Sequence, residues 1–113
     1  GYAGGEMKHG PIALIEDDVP VVALVLQDAL YEKMVSNIEE VRARGAQVFP
    51  VISEDDDRLR KIFPEAMLIP KTHPDLLPFL SIIPLQLLSY LTADRKGTDV
   101  DQPRNLAKSV TVE

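Results

Sequence analysis

The chain has 113 residues and a mass of 12.5 kDa, the size of one domain built on one core. Twelve Lys+Arg against eighteen Asp+Glu give a net charge of -6, which removes the basic footprint expected of a nucleic-acid or anionic-membrane binder. No cysteine is present, so disulfides, thiolate metal sites and a cysteine nucleophile are excluded within these residues, while 45% apolar and 27% charged residues mark a folded chain.

Residues 1–10 contain no basic stretch followed by an apolar one, so they do not read as a secretory leader. Gly1 stands where an initiator methionine would, which leads us to expect an upstream portion. Val19 to Leu26 is continuously apolar and β-branched, the pattern of a strand covered on both faces. From Ala29 to Arg44, Leu30, Met34, Ile38 and Val41 recur at spacings of four and three, which predicts an amphipathic helix. Asp28 is its expected N-cap and Gly45 its left-handed terminator.

Gln47 to Ile52 predicts a second strand, completing a βαβ crossover of the usual size. Ser53 to Ile62 predicts a short surface helix, and Ala66 to Ile69 a third strand. Leu76 to Ala93 predicts a final helix, apolar nearly all round and therefore buried, with Pro84 kinking or breaking it and Gly97 ending it. Its sixteen-residue apolar core, interrupted by Pro78 and Pro84, is shorter than the roughly 20 residues of a membrane span. The sheet so predicted has an edge too apolar for water. We therefore expect one or more strands and a helix to belong upstream.

Two segments carry a likeness to known sequences. They are Gly5-Glu6-Met7-Lys8-His9-Gly10-Pro11-Ile12-Ala13-Leu14-Ile15 and the tail from Gly97-Thr98-Asp99-Val100-Asp101-Gln102-Pro103 through Arg104-Asn105-Leu106-Ala107-Lys108 to Ser109-Val110-Thr111-Val112-Glu113. With Ser36 to Gly45 and Pro84-Leu85-Gln86-Leu87-Leu88, they make the chain resemble the carboxy-terminal part of the glucosamine-6-phosphate synthase family, whose members are glutamine:fructose-6-phosphate aminotransferases (isomerising). Glu54 to Asp75 matches in character only.

The resemblance implies an α/β fold, a flavodoxin-like three-layer sandwich of the sugar-isomerase (SIS) type with a parallel sheet, truncated at the N-terminus. Residues 1–97 would be part of the second SIS subdomain and residues 98–113 a tail closing the active site. The parent would make glucosamine 6-phosphate from fructose 6-phosphate and glutamine in cytoplasmic hexosamine synthesis, as a homodimer, with no cofactor, metal, nucleic acid or membrane. Its glutaminase domain and first SIS subdomain would be partners of this piece, which alone would be inactive.

Ring opening, imine formation at the ketone and proton movement between the first two sugar carbons call for an acid/base, an amine and a carboxylate. His9 is a candidate acid/base, because Gly10 permits close backbone approach and Pro11 suits the first position of a helix, placing His9 near a positive helix end. The alternative is a histidine that merely caps the turn. In the family, the histidine of Lys-His-Gly-Pro reaches the neighbouring subunit's site and is tied to ring opening. Lys108, by position a lysine near a terminus, is implied by the resemblance to contact the open-chain sugar as a Schiff-base residue, with Ala107 adding backbone contacts.

Lys8 is expected in solvent, His73 in an exposed turn, and Glu54-Asp55-Asp56-Asp57 at a solvated helix start rather than a cation site. Asp99, Asp101, Arg104 and Asn105 are expected to pin the tail. The scattered serines make no phosphate cradle. Two other readings remain beside catalysis: a non-catalytic phosphosugar-binding SIS module, and a dimerisation module.

Overall fold

A computed structural model describes residues 1–102, and the chain divides into two compact units, residues 1–81 and residues 82 onward. The first unit opens with two 3-10 turns, Gly4–His9 and Pro11–Leu14. There follow β1 (Pro20–Leu24), α1 (Tyr31–Ala43), β2 (Gln47–Ser53), α2 (Asp57–Ile62) and β3 (Met67–Ile69). A short 3-10 turn, Pro74–Leu76, leads into α3 (Leu77–Arg95).

The strands form one parallel sheet in the order β1-β2-β3, with Val22 opposite Phe49 and Val51 opposite Met67. Side chains alternate across such a sheet. Ala23, Val25 and Ile52 therefore face α1 and α2, where they form the core with Val35, Ile38 and Leu59. Burying an Ile or Leu of this kind stabilises the unit by roughly 1.5–3 kcal/mol.

Pro50 sits inside the central strand, a position normally closed to proline. The bonds Gln47 N to Val19 O and Val25 N to Val51 O show that odd-numbered residues of β2 bond to β1. The missing N–H of Pro50 therefore faces the β3 side, where pairing begins only at Val51. No ladder bond is lost.

The predicted strand-helix-strand order holds, with three local corrections. The helix starts at Tyr31 because Asp28 does not cap it. The Asp28 carboxylate instead accepts the Leu30 N–H at 2.7 Å, a tight turn that delays the helix. On α1 the fully buried apolar stripe is Val35, Ile38 and Val41, whereas Leu30 is exposed and Met34 is half-buried, packing against both the core and Gly4. β1 is covered on one face only: Ala23 is buried, but Val22 and Leu24 stand exposed at the free edge. Among the described residues, the α1 face of this strand is the one that carries buried core side chains.

Gly45 ends α1 as expected, at φ 92°, with its N–H donating to Arg42 O and that of Ala46 donating to Val41 O. The Asp17 carboxylate occupies the space that a β-carbon at Gly45 would need. Gly45→Ala is therefore expected to destabilise the unit by about 2 kcal/mol, the left-handed strain with crowding added. Faster hydrogen exchange of the α1 and β2 amides would register it.

The last helix departs most from expectation. It runs unbroken through Pro84, and its only buried residues are Leu77 and Ser81, both in the first unit. In the second unit Ile83 and Leu87 are more than half exposed, with Leu88 and Leu91 close behind. An all-round apolar sequence asks for burial on every side, yet these side chains stay exposed. The 22 residues Pro74–Arg95 are long and apolar enough to cross a membrane by length and composition alone. Gly97, at φ 66°, closes the helix as predicted, with Gly97 N donating to Asp94 O and Thr98 N to Ala93 O.

Candidate functional site

In open parallel sheets, ligands gather at the carboxyl ends of the strands. Here that end is a cleft of about 480 Å³ lined by Gln27, Asp28, Tyr31, Asp55, Asp56, Asp57 and Arg58. Asp56 is buried and does two things at once. One carboxylate oxygen accepts the Leu59 N–H at 2.9 Å and caps α2, while the other accepts the Tyr31 hydroxyl at 2.7 Å. The cap thereby also latches α1 to α2. Arg58 reinforces the latch on the surface, donating to both carboxylate oxygens of Glu32 at 3.1 Å.

Desolvation, followed by the hydrogen bond to Asp56 and the charge of that carboxylate, pushes the Tyr31 phenol up from 10.0 to about 12. A group whose folded pKa is raised adds stability that is complete below its unfolded value. That stability is lost as pH climbs through the folded value. The latch is therefore expected to weaken between about pH 10 and about pH 12. Tyrosinate difference absorbance checks this, since Tyr31→Phe should remove a component that titrates above the usual tyrosine value.

Asp55 and Glu54 are also engaged. The Lys71 ammonium, 2.7 Å from Asp55, and the Ser53 hydroxyl hold the Asp55 carboxyl below the usual carboxylate range. Glu54 accepts the backbone N–H of Lys71 at 3.2 Å. The acidic run is a helix start as expected, but not a solvated one throughout: Asp56 is buried as the cap, and Glu54 and Asp55 brace the end of β2 to Lys71 after β3. No group of three or more metal-ligating side chains occurs among the described residues. The crevice sets four carboxylates, Asp28, Asp55, Asp56 and Asp57, against one cation, Arg58, itself paired with Glu32, a balance of charge that disfavours a phosphate.

His9 lies elsewhere. Gly4 rests against Met34 and Asn37, and Lys8 Nζ reaches Glu40 Oε1 at 2.6 Å, so the N-terminal segment runs along α1 from its first turns toward its last. Glu40 is nine positions beyond Tyr31, or about 14 Å along the helix axis. His9 is exposed near the amino ends of the strands, away from the acidic crevice. Gly10 follows at φ 146°, a conformation that L side chains rarely adopt, and Pro11 takes the first position of the next turn as predicted. That turn is a single four-residue 3-10 turn, so the expected positive helix end beside His9 has little aligned dipole behind it.

Lys8 lies in solvent as expected, half exposed, and there pairs with Glu40. His73 is an exposed turn residue as expected, its ring accepting the Asp75 N–H. Lys108 and Ala107 lie outside the described residues. The Tyr31–Asp56 latch had no sequence signal beyond the acidic run, which announced a cap without saying which acid forms it.

Comparison with known proteins covers this whole arrangement. The chain is 54% identical over 112 residues to glutamine–fructose-6-phosphate aminotransferase (isomerizing) of Thermus thermophilus and 57% identical over 114 aligned positions to that of Clostridium perfringens. Each alignment takes in 99% of this chain but only 18% and 19% of the relative. Among solved structures, the C-terminal domain of glucosamine-fructose-6-phosphate aminotransferase from Francisella tularensis superimposes with a TM-score of 0.75 at 40% identity, over 89% of this chain and 29% of that one. The SIS domain model matches residues 1–93, through the parallel sheet and nearly all of α3, and the chain therefore belongs to the SIS domain family.

Proposed function

We propose that this chain acts within an enzyme that makes glucosamine 6-phosphate and glutamate from fructose 6-phosphate and glutamine, as part of its sugar-isomerase region. The observation that carries the reading is the 54% identity to such an aminotransferase across 99% of the chain. The geometry is consistent with it. The crevice of this unit is acidic, so the phosphate pocket belongs to another part of the parent, and this piece contributes through its terminal segments.

In this reading His9 acts as acid/base in ring opening, on the neighbouring subunit of a homodimer. Its exposure, at the end of its own sheet opposite the crevice, supports service to a site outside this unit. Lys108 contacts the open-chain ketose through its amine and Ala107 through its backbone, with residues 98–113 as the closing tail. The apolar sides of α3 and the exposed edge of β1 pack against other parts of the parent, including its first SIS subdomain, and not against lipid. The enzyme is cytoplasmic, needs no cofactor, and feeds UDP-N-acetylglucosamine synthesis. This chain alone is inactive.

The test is to supply the whole native protein containing this chain with fructose 6-phosphate and glutamine. Equal yields of glucosamine 6-phosphate and glutamate are expected. Hexose-phosphate binding without amino-sugar release would transfer the assignment to a non-catalytic SIS module.

A further inference from the structure

We propose that the Lys8–Glu40 ion pair sets the direction in which His9 is presented, making Lys8 and Glu40 positioning residues for the chemistry of His9. The inference rests on the functional reading above. Neither 3-10 turn of residues 4–14 buries a single residue. Among the described residues, the 2.6 Å contact between Lys8 Nζ and Glu40 Oε1 is the only side-chain hydrogen bond or ion pair joining this segment to the rest of the fold. The remaining hold is packing, of Gly4 on Met34 and Asn37 four residues away from Lys8 and of the half-buried Met7, Pro11 and Ile12.

A segment with no buried side chain opens locally at little cost, so one tether changes its population measurably. The geometry turns that tether into an aiming device. A 3-10 helix has three residues per turn, so adjacent side chains diverge by about 120°. With Lys8 drawn onto α1, His9 is rotated away from α1 and into the open. Gly10 then reverses the chain at φ 146°, so the last turn cannot be extended to compensate. Because both partners are about half exposed, the pair biases the orientation and does not lock it.

The experiment uses the whole protein and three variants: Glu40→Gln, Lys8→Met and the double reversal Lys8→Glu with Glu40→Lys. Each single variant is expected to speed hydrogen exchange over residues 4–14 by about fivefold, the upper range for an exposed pair. Each is also expected to lower kcat/KM for fructose 6-phosphate by a similar factor. The double reversal should restore both quantities, which a general loss of stability would not do. Unchanged exchange in the single variants would show that the pair does not hold the segment. Faster exchange with unchanged synthesis would show that the segment is held but that His9 needs no aiming. A wild-type protein that forms no glucosamine 6-phosphate would instead overturn the functional reading itself, together with the positioning role, while exchange still reported on the tether.

Discussion

His9→Ala, made in the whole protein, is expected to lower glucosamine 6-phosphate formation by about 10² to 10⁴-fold, the usual contribution of a positioned acid/base. Stability should not change. His9 is exposed and makes no side-chain hydrogen bond within the described residues, and such surface substitutions usually stay within about 0.5 kcal/mol. Lys108→Ala is expected to cost a similar factor, because in the proposed reading its amine contacts the open-chain ketose. If both act on one reaction coordinate, the double variant should be hardly worse than the poorer single one. Steady-state rates at saturating glutamine, with thermal unfolding recorded alongside, check all three. Wild-type rates in both single variants would remove these residues from the site.

Asp56→Ala should be the most damaging single change to the fold near the crevice, at about 3 kcal/mol. The side chain is buried, caps α2 through Leu59 and accepts the Tyr31 hydroxyl. Loss of a cap costs about 1 kcal/mol, and a hydrogen bond to a charged group contributes roughly 1.5–3 kcal/mol. Asp56→Asn keeps one oxygen, enough to accept the Leu59 N–H and cap α2, while its NH2 cannot accept the Tyr31 hydroxyl, so it should recover the cap and lose the latch. Tyr31→Phe removes only the second bond and should cost about half as much as Asp56→Ala. Native-state hydrogen exchange of β2 and α2 in the whole protein is the appropriate measurement, since a multidomain chain has no single unfolding free energy. Equal exchange in wild type and Asp56→Ala would rule out the latch.

The two predictions differ in how much of their basis was visible in the linear chain. His9 stood out beside Gly10 and Pro11, and the likeness of that segment to a known family supplied a role. Asp56 was one of four consecutive acids with nothing to single it out. Its partner Tyr31 lies 25 positions earlier and Lys8 lies 32 positions before Glu40, separations at which no periodic pattern can pair residues. The spacing of Met34 places it on the core stripe, and it does pack against the core, but only partly buried, with its sulfur also against Gly4 of the N-terminal segment. Val35, one position on, takes the buried place.

The apolar content of the last helix was read correctly and its burial was not. Hydropathy reports what a side chain would gain by leaving water, while burial requires a neighbour to receive it. Leu77 and Ser81 have one, whereas Ile83 and Leu87 stand open. The exposed Val22 and Leu24 of β1 follow the same logic at a strand edge.

By itself the sequence determined the βαβ core, the glycine stops at Gly45 and Gly97, the tight turn at Gly10 and the SIS likeness, because periodicity and capping act over a few neighbouring residues. Only the tertiary structure decided that Asp56 is the buried cap, that Lys8 is anchored beside His9, and that His9 lies far from the acidic crevice. Those facts depend on which side chains the parallel crossover brings face to face, and that is settled only when α1 lies down on the sheet.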